Sequence, residues 1–557
     1  MFNVKFPNGE VINCTKTITG EELLSLCKTP EDIPVVAWHV NGYLRSLNWP
    51  VSDDADIEWV DQSDPEGEDV LQSSLSFLLV IAVKHILGRS IRVTNSISEG
   101  LCWQLERINA DSIVSEGEEI SQEQINAIKA EMDNMIAKDL PMRSVVMPVD
   151  EACSYFKKHG RPGKAKLLSV TMSEQPVEVA CCAGEKDMYY SPLVPSTRYL
   201  KNYALSKLGA SVVLRTPTTG SPRSLPPYKP SNKLQDAFAM YSDWMRKLHV
   251  ITMVQIWDAV ARDGGKELIL ISEALHAEEI SAITAKFLSK PERRVISIAG
   301  PSASGKTTTS QKLRIQLQVM GKNPIAISLD DYFVDRDKCP LDENGEYDFE
   351  ALESINLPLF DEQMHRLLAG DEVQLPRYDF IEGKSVLGRT LRLGKDDVII
   401  LEGLHGLNDR ILNVVPREKR FGIFLSPMSG INLDKHTRTS TTDHRLLRRM
   451  LRDCRTRGST PESTLIEWPS VVRGAMKYIF PFQGNADVMF NSSLLYELPV
   501  MRVYAEILLH SIPQNSPVYG EALRLLRMLR SVPIIDPAKV PSNSLLREFI
   551  GGSIIEI

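Results

Sequence analysis

Apolar and polar residues alternate near the start of the chain in the pattern of a small β-rich module. Val4–Phe6 and Glu10–Ile12 alternate on either side of Pro7–Gly9, a turn sequence, so a β-hairpin is predicted. Thr19 is a plausible N-cap for the short helical stretch that follows. The acidic stretch Asp61–Asp69 predicts a linker after this module.

Helical spacing of apolar residues marks the middle of the chain. Leu75–Leu87 is apolar and strongly helical, and Gln122–Asp139 carries apolar residues at helical spacing. The Pro/Ser/Thr-rich stretch Thr216–Ser231 is a boundary by composition. These patterns divide the chain into four predicted units, residues 1–62, an α+β unit at 70–230, a helical connector at 231–290 and a C-terminal unit at 291–557.

Composition narrows the class of protein. A chain of 557 residues is too long for one compact core, and its net charge of -8 argues against coating nucleic acid by bulk electrostatics, although a local basic patch stays open. Eight cysteines without a Cys-x-x-Cys pair fit a reducing compartment, which predicts a cytoplasmic protein. The N-terminus lacks the pattern of a signal peptide, and the longest apolar run, Phe77–Val83, is too short to span a bilayer, so no membrane segment is predicted.

A phosphate-binding motif opens the C-terminal unit. The apolar run Val295–Ala299 leads directly into Gly300–Thr307, a complete GxxxxGK[ST] sequence, and a helical stretch, Thr308–Met320, follows. The glycines let backbone N–H groups wrap around phosphate oxygens at a helix N-terminus, and the lysine and the hydroxyl suit the β/γ-phosphates and Mg²⁺. The predicted donor-binding residues are Gly300, Ser302, Ser304, Gly305, Lys306, Thr307 and Thr308.

Acidic residues follow two further predicted strands. Asp330 comes directly after one apolar run and Glu402 directly after another, at the strand ends where ligands bind in open α/β sheets. Attack of an alcohol on a γ-phosphate needs a proton acceptor and a metal clamp. We therefore expect Asp330 to act as the base and Glu402 to hold Mg²⁺ together with Thr307. Taken alone, each acid also fits a solvated strand end or a helix cap. The chain has no Asn-Lys-x-Asp guanine motif, which disfavours a GTPase.

The C-terminal unit resembles the uridine kinase family over roughly residues 292–495. The resemblance is carried, in this order, by Ser328–Phe333, Tyr347–Glu350, Leu375–Phe380, Ile400–Gly403, Arg448–Asp453 and Arg457-Gly458. It implies an α/β P-loop kinase fold with a parallel sheet, ATP and Mg²⁺ as cofactors, and a small-molecule nucleoside as the acceptor.

The same resemblance implies roles for individual residues. Asp330 takes the place of the catalytic aspartate at the nucleoside 5′-hydroxyl, and Asp348 that of the aspartate holding the ribose hydroxyls. Tyr378 and Phe380 match the aromatic wall of the base pocket. The matching arginines of the helical lid are Arg449 and Arg452, on ribose or transferring phosphate, and Arg457, on the ATP phosphates. Lys306, Asp330 and Arg452 are thus the predicted catalytic residues.

The chain departs from the family pattern at three places. Gly383 stands where uridine kinases commonly have a base-reading histidine, Ser459 replaces a second lid arginine, and Asn356–Leu359 is an insertion. Phosphoryl transfer survives these changes, but strict uridine or cytidine selectivity does not follow. The identity of the nucleoside therefore stays open.

The N-terminal half resembles threonyl-tRNA synthetases. Residues 1–62 are similar to their ubiquitin-like β-grasp (TGS) module, and residues 70–230 to the editing domain that follows it. The stretches that carry the second likeness are Leu75–Leu87, Asp139–Met142 and Tyr190–Thr197.

The four positions that form the metal and editing site in such domains read Ser73, Phe77, Tyr189 and Leu193 in this chain. None of them supplies an imidazole or a thiolate, the ligands that such a site needs. His85 lies nearby and fits a helix-surface or core histidine. We expect neither editing nor zinc binding, which leaves ligand binding, regulation of the kinase and assembly, including a homo-oligomer, as roles for this half.

Together these patterns predict an ATP-dependent nucleoside kinase with an appended binding or regulatory half. Two alternatives stay open at this stage. One is an RNA- or tRNA-binding protein with a P-loop switch, for which nucleic acid is a weakly supported partner. The other is a P-loop kinase for another small alcohol. The apolar tail Ser542–Gly552 is expected to dock on the kinase half or on a partner subunit.

Overall fold

The chain folds into a β-rich N-terminal module, an α+β unit, a helical connector and a parallel α/β unit, seen here in a computed structural model. The structure describes residues 1–26, 33–97, 100–106, 117–171, 176–228, 232–341, 345, 347–379, 382–428 and 431–555.

The N-terminal module is a mixed sheet packed on one short helix. Its strands and helix are β1 (Phe2–Lys5), β2 (Val11–Cys14), β3 (Ile18–Thr19), α1 (Gly20–Leu24), β4 (Val35–Val40), β5 (Tyr43–Ser46), β6 (Pro50–Val51) and β7 (Ala55–Asp61). The main sheet has the order β2-β1-β7-β4-β5, with β1 and β7 parallel. The predicted hairpin is confirmed, since Val4 pairs with Ile12, and Thr19 caps α1 in a capping box with Glu22.

The predicted linker at Asp61–Asp69 is wrong. Helix α2 (Pro65–Leu87) begins inside it, with proline at the first helical position and Glu66 and Glu68 in the first turn. Acidic residues stabilise a helix N-terminus because they face the positive end of its dipole, so this acidic run begins a helix.

Helix α2 is the central helix of the second unit and is buried over most of its length. Its 23 residues contain a window of mean hydropathy 1.8, which is long and apolar enough to cross a bilayer, and 67% of that window is buried inside the protein. The core helix of a soluble protein meets the same criteria of length and composition.

Two small sheets and three further helices surround α2. They are β8 (Ile91–Ile97), β9 (Gly100–Glu106), β10 (Gly117–Glu118), α3 (Gln122–Ala137), β11 (Arg143–Met147), α4 (Val149–Lys158), α5 (Pro162–Thr171), β12 (Val177–Cys182), β13 (Glu185–Asp187), β14 (Ala204–Leu208) and β15 (Ser211–Arg215). One sheet has the order β10-β9-β15-β14 with β8 beside β9, and the other has the order β11-β12-β13. The predicted helices at 75–87 and 122–139 are confirmed as α2 and α3.

Three helices connect this unit to the C-terminal one, as the sequence predicts for residues 232–290. They are α6 (Asn232–Lys247), α7 (Met253–Asp263) and α8 (Lys266–Leu288).

The C-terminal unit is built on a parallel sheet with the order β17-β20-β16-β21-β22. Its strands are β16 (Val295–Ala299), β17 (Asn323–Ser328), β20 (Asp397–Glu402), β21 (Arg420–Ser426) and β22 (Val488–Asn491), and β18 (Glu372–Asp379) and β19 (Lys384–Arg392) form a separate hairpin. All five residues of β16 are buried, as expected for a strand covered on both faces. The carboxyl ends of the five strands therefore meet at one edge of the sheet.

Helices cover both faces of the sheet and extend it at the C-terminus. They are α9 (Lys306–Val319), α10 (Leu357–Ala369), α11 (Asp409–Leu412), α12 (Thr441–Thr456), α13 (Pro461–Tyr478), α14 (Glu497–His510), α15 (Tyr519–Arg530) and α16 (Arg547–Ile550). The apolar tail packs within its own chain, since Leu545, Leu546 and Phe549 belong to the large core formed with α12, α14 and α15. The expectation that the tail docks on the kinase half is confirmed.

The two halves of the chain are joined by a loop that runs into α12. Asn432 donates its side-chain N–H to Val93 O at 2.9 Å, and Val93 N donates to Lys435 O at 2.9 Å. Lys435 Nζ lies 2.8 Å from a carboxylate oxygen of Glu106. The segment that leads into the lid helix therefore rests on a sheet of the N-terminal half.

Candidate active site

The loop between β16 and α9 has the backbone shape that its glycines predict. A Cβ on Gly300 would lie 2.0 Å from Leu425 O, so only glycine fits against β21 at this point. Gly305 has φ +90°, in the left-handed region that favours glycine. The loop then enters α9, whose first N–H groups have no partner within the helix. This is the strand, loop and helix arrangement that a phosphate-binding loop requires.

Lys306 is folded back over this loop. Its ammonium donates to Gly300 O at 2.9 Å and to Pro301 O at 3.3 Å. Burial lowers the pKa of Lys306, while the carboxylates of Glu402 and Asp330 oppose that shift. The lysine therefore lies within electrostatic reach of both acids predicted at the strand ends.

The two strand-end acids lie side by side at the sheet edge. Strands β17 and β20 pair in parallel with Ser328 opposite Glu402, and Asp330 follows in the turn after β17, where its N–H donates to Ser328 Oγ at 3.3 Å. Burial raises the pKa of Asp330, against the influence of Lys306. Burial, followed by the Asp330 charge, raises the pKa of Glu402 to about 7. Two carboxylates close together in a partly buried site repel each other, which makes the site favourable for a cation.

Helix α12 clamps the phosphate-binding loop with arginines on one face. Arg445 Nε donates to Ser302 O at 3.0 Å, and Arg449 Nη1 donates to Ser302 Oγ at 3.1 Å. Arg449 and Arg452 also lie 3.2 and 2.9 Å from carboxylate oxygens of Asp453. The helix therefore presents a row of guanidinium groups to the loop, at the i, i+3 and i+4 spacing that places side chains on one face.

Arg448, a residue given no role from the sequence, makes the most extensive contacts of this row. It has no exposed surface, and it donates to Ala303 O at 3.3 Å, Ser304 O at 3.2 Å and Ser492 O at 2.8 Å. Its guanidinium also forms a two-point ion pair with the buried carboxylate of Glu497, with Nη2 2.7 Å from Oε2. Because Arg448 binds the loop carbonyl groups from one side, the loop N–H groups point to the other side. The regular spacing of the arginines is a signal for this role, but the partner Glu497 lies too far along the chain for the sequence to indicate it.

Arg457 lies at the outer end of the lid. Its side chain is 57% exposed, and its Nη1 lies 3.6 Å from Asp453 Oδ1. The charge of Arg457 reaches Asp330, as does that of Arg452. The charges of two of the three predicted lid arginines, Arg452 and Arg457, therefore act on Asp330, and Arg457 is the more exposed of the two.

The predicted acceptor residues Asp348 and Tyr378 make contacts with other residues of the C-terminal unit. Asp348 accepts hydrogen bonds from the Tyr478 hydroxyl at 2.9 Å and from Glu350 N at 3.1 Å. The ring of Tyr378 lies 5.5 Å from that of Phe333. Phe380 lies outside the described residues, so its predicted role in the aromatic wall stays a prediction.

Three residues that sequence reasoning missed complete this side of the site. One oxygen of Glu350 is buried without a hydrogen-bond partner, and burial raises the pKa of its carboxyl, against the nearby Lys306. His405, three residues after the strand end that carries Glu402, is buried, and burial lowers its pKa to about 4. The third is Tyr478, the hydrogen-bond donor to Asp348. The Tyr347–Glu350 motif gave Glu350 no role, and His405 and Tyr478 lie outside the motifs, which is why the sequence does not reveal their part in the site.

Gly383 is a point of close contact in the hairpin. It has φ +68°, its O accepts from Arg336 N at 2.8 Å, and a Cβ there would lie 2.9 Å from Arg336 Nε. A larger side chain at this position requires Arg336 to move. The side chain of Arg336 thus occupies the space next to Gly383.

Comparison with known proteins identifies the C-terminal unit. The family model described as the phosphoribulokinase/uridine kinase family matches residues 295–495. A uridine kinase from Halalkalibacterium halodurans is 31% identical over 197 residues, which cover 35% of this chain and 84% of that protein. The chain belongs to the phosphoribulokinase/uridine kinase family. The family resemblance drawn from the ordered motifs is therefore confirmed. Membership of this P-loop kinase family supports a phosphotransferase as the class of enzyme. A structure titled as a possible uridine kinase from Bacillus stearothermophilus has a TM-score of 0.25 and 21% identity, covering 36% of this chain and 88% of that one.

The N-terminal part of the chain is similar to threonine–tRNA ligases. The ligase from Carboxydothermus hydrogenoformans is 26% identical over 219 residues, which are 38% of this chain and 32% of the ligase. The chain therefore spans about a third of the length of the ligases it matches. The resemblance predicted for this half is confirmed, and the ligase activity itself does not come with it.

Packed side chains surround Phe77 and Tyr189, two of the four positions that the resemblance assigns to a metal and editing site. The rings of Phe77 and Tyr189 lie 5.7 Å apart, and the Lys164 ammonium lies 5.8 Å from the Tyr189 ring centroid. Lys164 pairs with the fully buried Asp187, which in turn lies 2.6 Å from His436 Nδ1 of the kinase unit. An internal ion cluster and two aromatic rings occupy this place.

Proposed function

We propose that the chain is an ATP-dependent nucleoside kinase that transfers the γ-phosphate of MgATP to the 5′-hydroxyl of a nucleoside. The observation that carries the proposal is the convergence of Lys306, Asp330 and Glu402 at one sheet edge, directly beside a glycine loop that α12 clamps in place. Membership of the phosphoribulokinase/uridine kinase family supports the reaction class. We further propose the domain boundaries 1–62, 70–230, 231–290 and 291–557 for the chain.

The residues at the sheet edge fit a triphosphate and a divalent cation. The cradle at Gly300 leaves no room for a Cβ, so backbone N–H groups can approach phosphate oxygens closely. Glu402, whose pKa is raised to about 7 by burial and by Asp330, would be ionised more readily next to a cation. Thr307 and Glu402 would hold Mg²⁺, which supplies charge neutralisation to the β- and γ-phosphates when it is bound.

The residues of the proposed active site then have defined tasks. Asp330 accepts the proton of the attacking hydroxyl, and Asp348, oriented by Tyr478, binds the sugar hydroxyls. Lys306 stabilises the charge that develops on the transferred phosphoryl group, and Arg452 and Arg457 add positive charge from the lid.

A substrate panel tests this proposal. The purified chain is incubated with labelled MgATP and, one at a time, uridine, cytidine, the purine nucleosides, ribulose phosphate and pantothenate. We expect phosphorylation of a nucleoside, and a loss of about 10²- to 10⁴-fold in kcat/KM for Asp330→Asn. Asp361→Asn is the matched control, because Asp361 is exposed on α10, and we expect it to keep the parental rate.

The panel also separates the alternatives. Undiminished turnover by Asp330→Asn would remove this residue from the mechanism, and product formation with only a non-nucleoside alcohol would assign the site to another acceptor. The likeness to threonine–tRNA ligases supports RNA as a second candidate ligand for the N-terminal half. Filter binding with total tRNA over a range of salt concentrations tests it, since phosphate contacts weaken steeply as salt rises.

A further inference from the structure

The C-terminal segment, defined here as Ser544–Gly551, ends against the phosphate-binding loop. Ser544 and Phe549 have no exposed surface, and Glu548 is 4% exposed. A Cβ placed on Gly305 would lie 3.0 Å from the methyl carbons of Leu545. The segment therefore packs directly on the glycine that precedes Lys306.

Glu548 places its carboxylate on the first turn of α9. Its Oε2 accepts a hydrogen bond from Thr308 Oγ1 at 2.6 Å and one from Thr308 N at 3.3 Å. The first N–H groups of a helix have no partner within the helix and lie at the positive end of its dipole. The carboxylate thus uses the donors that a phosphate-binding loop offers to an anion.

Three contacts fix the segment in this place. Arg455 Nη2 donates to Glu548 O at 2.8 Å, and the Phe549 ring centroid lies 4.8 Å from the guanidinium carbon of Arg448. The segment also closes its own turn, since Gly551 N donates to Arg547 O at 2.9 Å. The first two contacts come from α12, the helix that clamps the loop, so the segment, α12 and the loop form one packed unit.

We propose that Glu548 is an internal competitor of the phosphate donor, holding on Thr308 the place that the α-phosphate of a nucleoside triphosphate takes. The proposal rests on the proposed function, because it requires a donor whose β- and γ-phosphates lie at Lys306. A P-loop binds the α/β-phosphates through consecutive backbone N–H groups at the start of its helix, which include the N–H of Thr308. Two anions cannot share these donors, since like charges at this distance repel.

Donor binding is therefore coupled to the C-terminal segment. The carboxylate leaves Thr308 when the donor arrives, and the segment loses one of the contacts that hold its turn. Donor affinity is set by the competition between the Glu548 carboxylate and phosphate, and changes at the C-terminus alter affinity without touching the residues that transfer the phosphoryl group.

Calorimetric titration with MgATP tests the competition on the full chain. We expect Glu548→Gln to lower the Kd for MgATP by about tenfold, because a neutral amide competes less well than a carboxylate for the same donors. Glu506→Gln makes the same chemical change on α14, where Glu506 pairs with Arg502 of the same helix, and we expect the parental Kd. Hydrogen exchange is the second readout, and saturating MgATP should speed exchange of the Glu548 to Gly551 amides in the parent.

The possible outcomes are distinct. Equal Kd values for the parent and Glu548→Gln, or unchanged exchange in the segment while MgATP binds, would overturn the competition and leave the kinase proposal standing. If neither chain binds MgATP, the proposed function itself fails, and the competitor fails with it. Should the glutamine variant not fold, the exchange measurement on the parent still decides.

Discussion

Lys306 and Lys164 show how the two halves of this chain use the same residue type differently. Lys306 lies near several acids, and its hydrogen bonds within the described part of the chain go to two loop carbonyls, so its charge is incompletely matched. Lys164 is 4% exposed and lies between Asp187 and Asp434, with Asp187 also contacting Arg161. The lysine of the kinase unit is available to a ligand, whereas that of the N-terminal half is fully engaged by its own protein.

The same contrast extends to the surrounding clefts. At the sheet edge, Asp330 and Glu402 both have pKa values raised by burial, which is a cost to the folded state that a functional site can carry. In the buried ion cluster of the N-terminal half, burial alone would raise the pKa of Asp187, but Lys164 and His436 hold it well below its ordinary value. A cleft whose charges are mutually satisfied stabilises the fold, and a cleft whose charges are strained is suited to bind a ligand.

The largest expected effect comes from Lys306. We expect Lys306→Ala to lower kcat/KM by about 10³-fold or more, because an ammonium that stabilises a transferring phosphoryl group is lost. Melting temperature should change little, since the lysine has no carboxylate partner at hydrogen-bond distance among the described residues. Steady-state kinetics and thermal unfolding check the two parts, and retained product formation would contradict the assignment.

Lys164 is expected to behave in the opposite way. Lys164→Met leaves Asp187 without its closest partner, which should lower the free energy of unfolding by about 3 to 5 kcal/mol, as for other broken buried ion pairs. Below its unfolding transition the variant should keep the parental kcat. Urea denaturation and the kinase assay measure the two quantities. A variant that folds as stably as the parent but loses activity would show that this cluster serves the reaction.

Local patterns predicted much of what distinguishes the two regions. The phosphate-binding loop and the strand-end acids follow from spacing, because a parallel strand places its last residue at a known edge of the sheet. The linker expected at Asp61–Asp69 failed for a similar reason, since acidic residues suit both a solvated linker and the first turn of a helix.

What the sequence could not predict are partners brought together by the fold from distant positions. Arg448 and Glu497 are 49 residues apart, Asp187 and His436 are 249 apart, and Thr308 and Glu548 are 240 apart. None of these pairs has a motif, because each depends on how separate helices pack. A single sequence therefore gives the residue types at the site, but it does not show which distant residues they contact.

The Arg448–Glu497 pair lies between the two extremes of the comparison, since it is both buried and in contact with the loop. Burial alone would raise the pKa of Glu497, but Arg448 and His444 hold it well below its ordinary value. Glu497→Gln should therefore lower stability and raise the Kd for MgATP by about tenfold, because the loop carbonyls lose a positioned partner.

A double variant separates these two effects. Arg448→Met combined with Glu497→Leu removes both buried charges, which should recover part of the lost stability. The affinity for MgATP should stay low, since the loop remains without its clamp. Recovery of both stability and affinity would show that the pair is structural only. Urea denaturation and calorimetric titration give the two readouts.

The smallest expected effect concerns Glu402 and the pH dependence of stability. Its pKa rises from an ordinary 4.5 to about 7, so the folded chain binds more protons than the unfolded chain between these values. Stability from this group is present below pH 4.5 and is lost as pH rises through 7. Glu402→Gln stays neutral throughout, so at pH 8 it should melt about 3 °C above the parent, and the gap should close near pH 5.

Thermal unfolding of the parent, Glu402→Gln and Glu353→Gln at pH 5 and pH 8 measures this difference. Glu353 is 63% exposed, so its variant should follow the parent at both pH values. Saturating MgATP should raise the melting temperature of the parent more than that of Glu402→Gln, because only the ionised carboxylate gains a partner. A parent that is as stable as the glutamine variant at pH 8 would mean that Glu402 is not strained. The kinase cleft would then resemble the satisfied cluster around Lys164, and the physical distinction between the two regions would be lost.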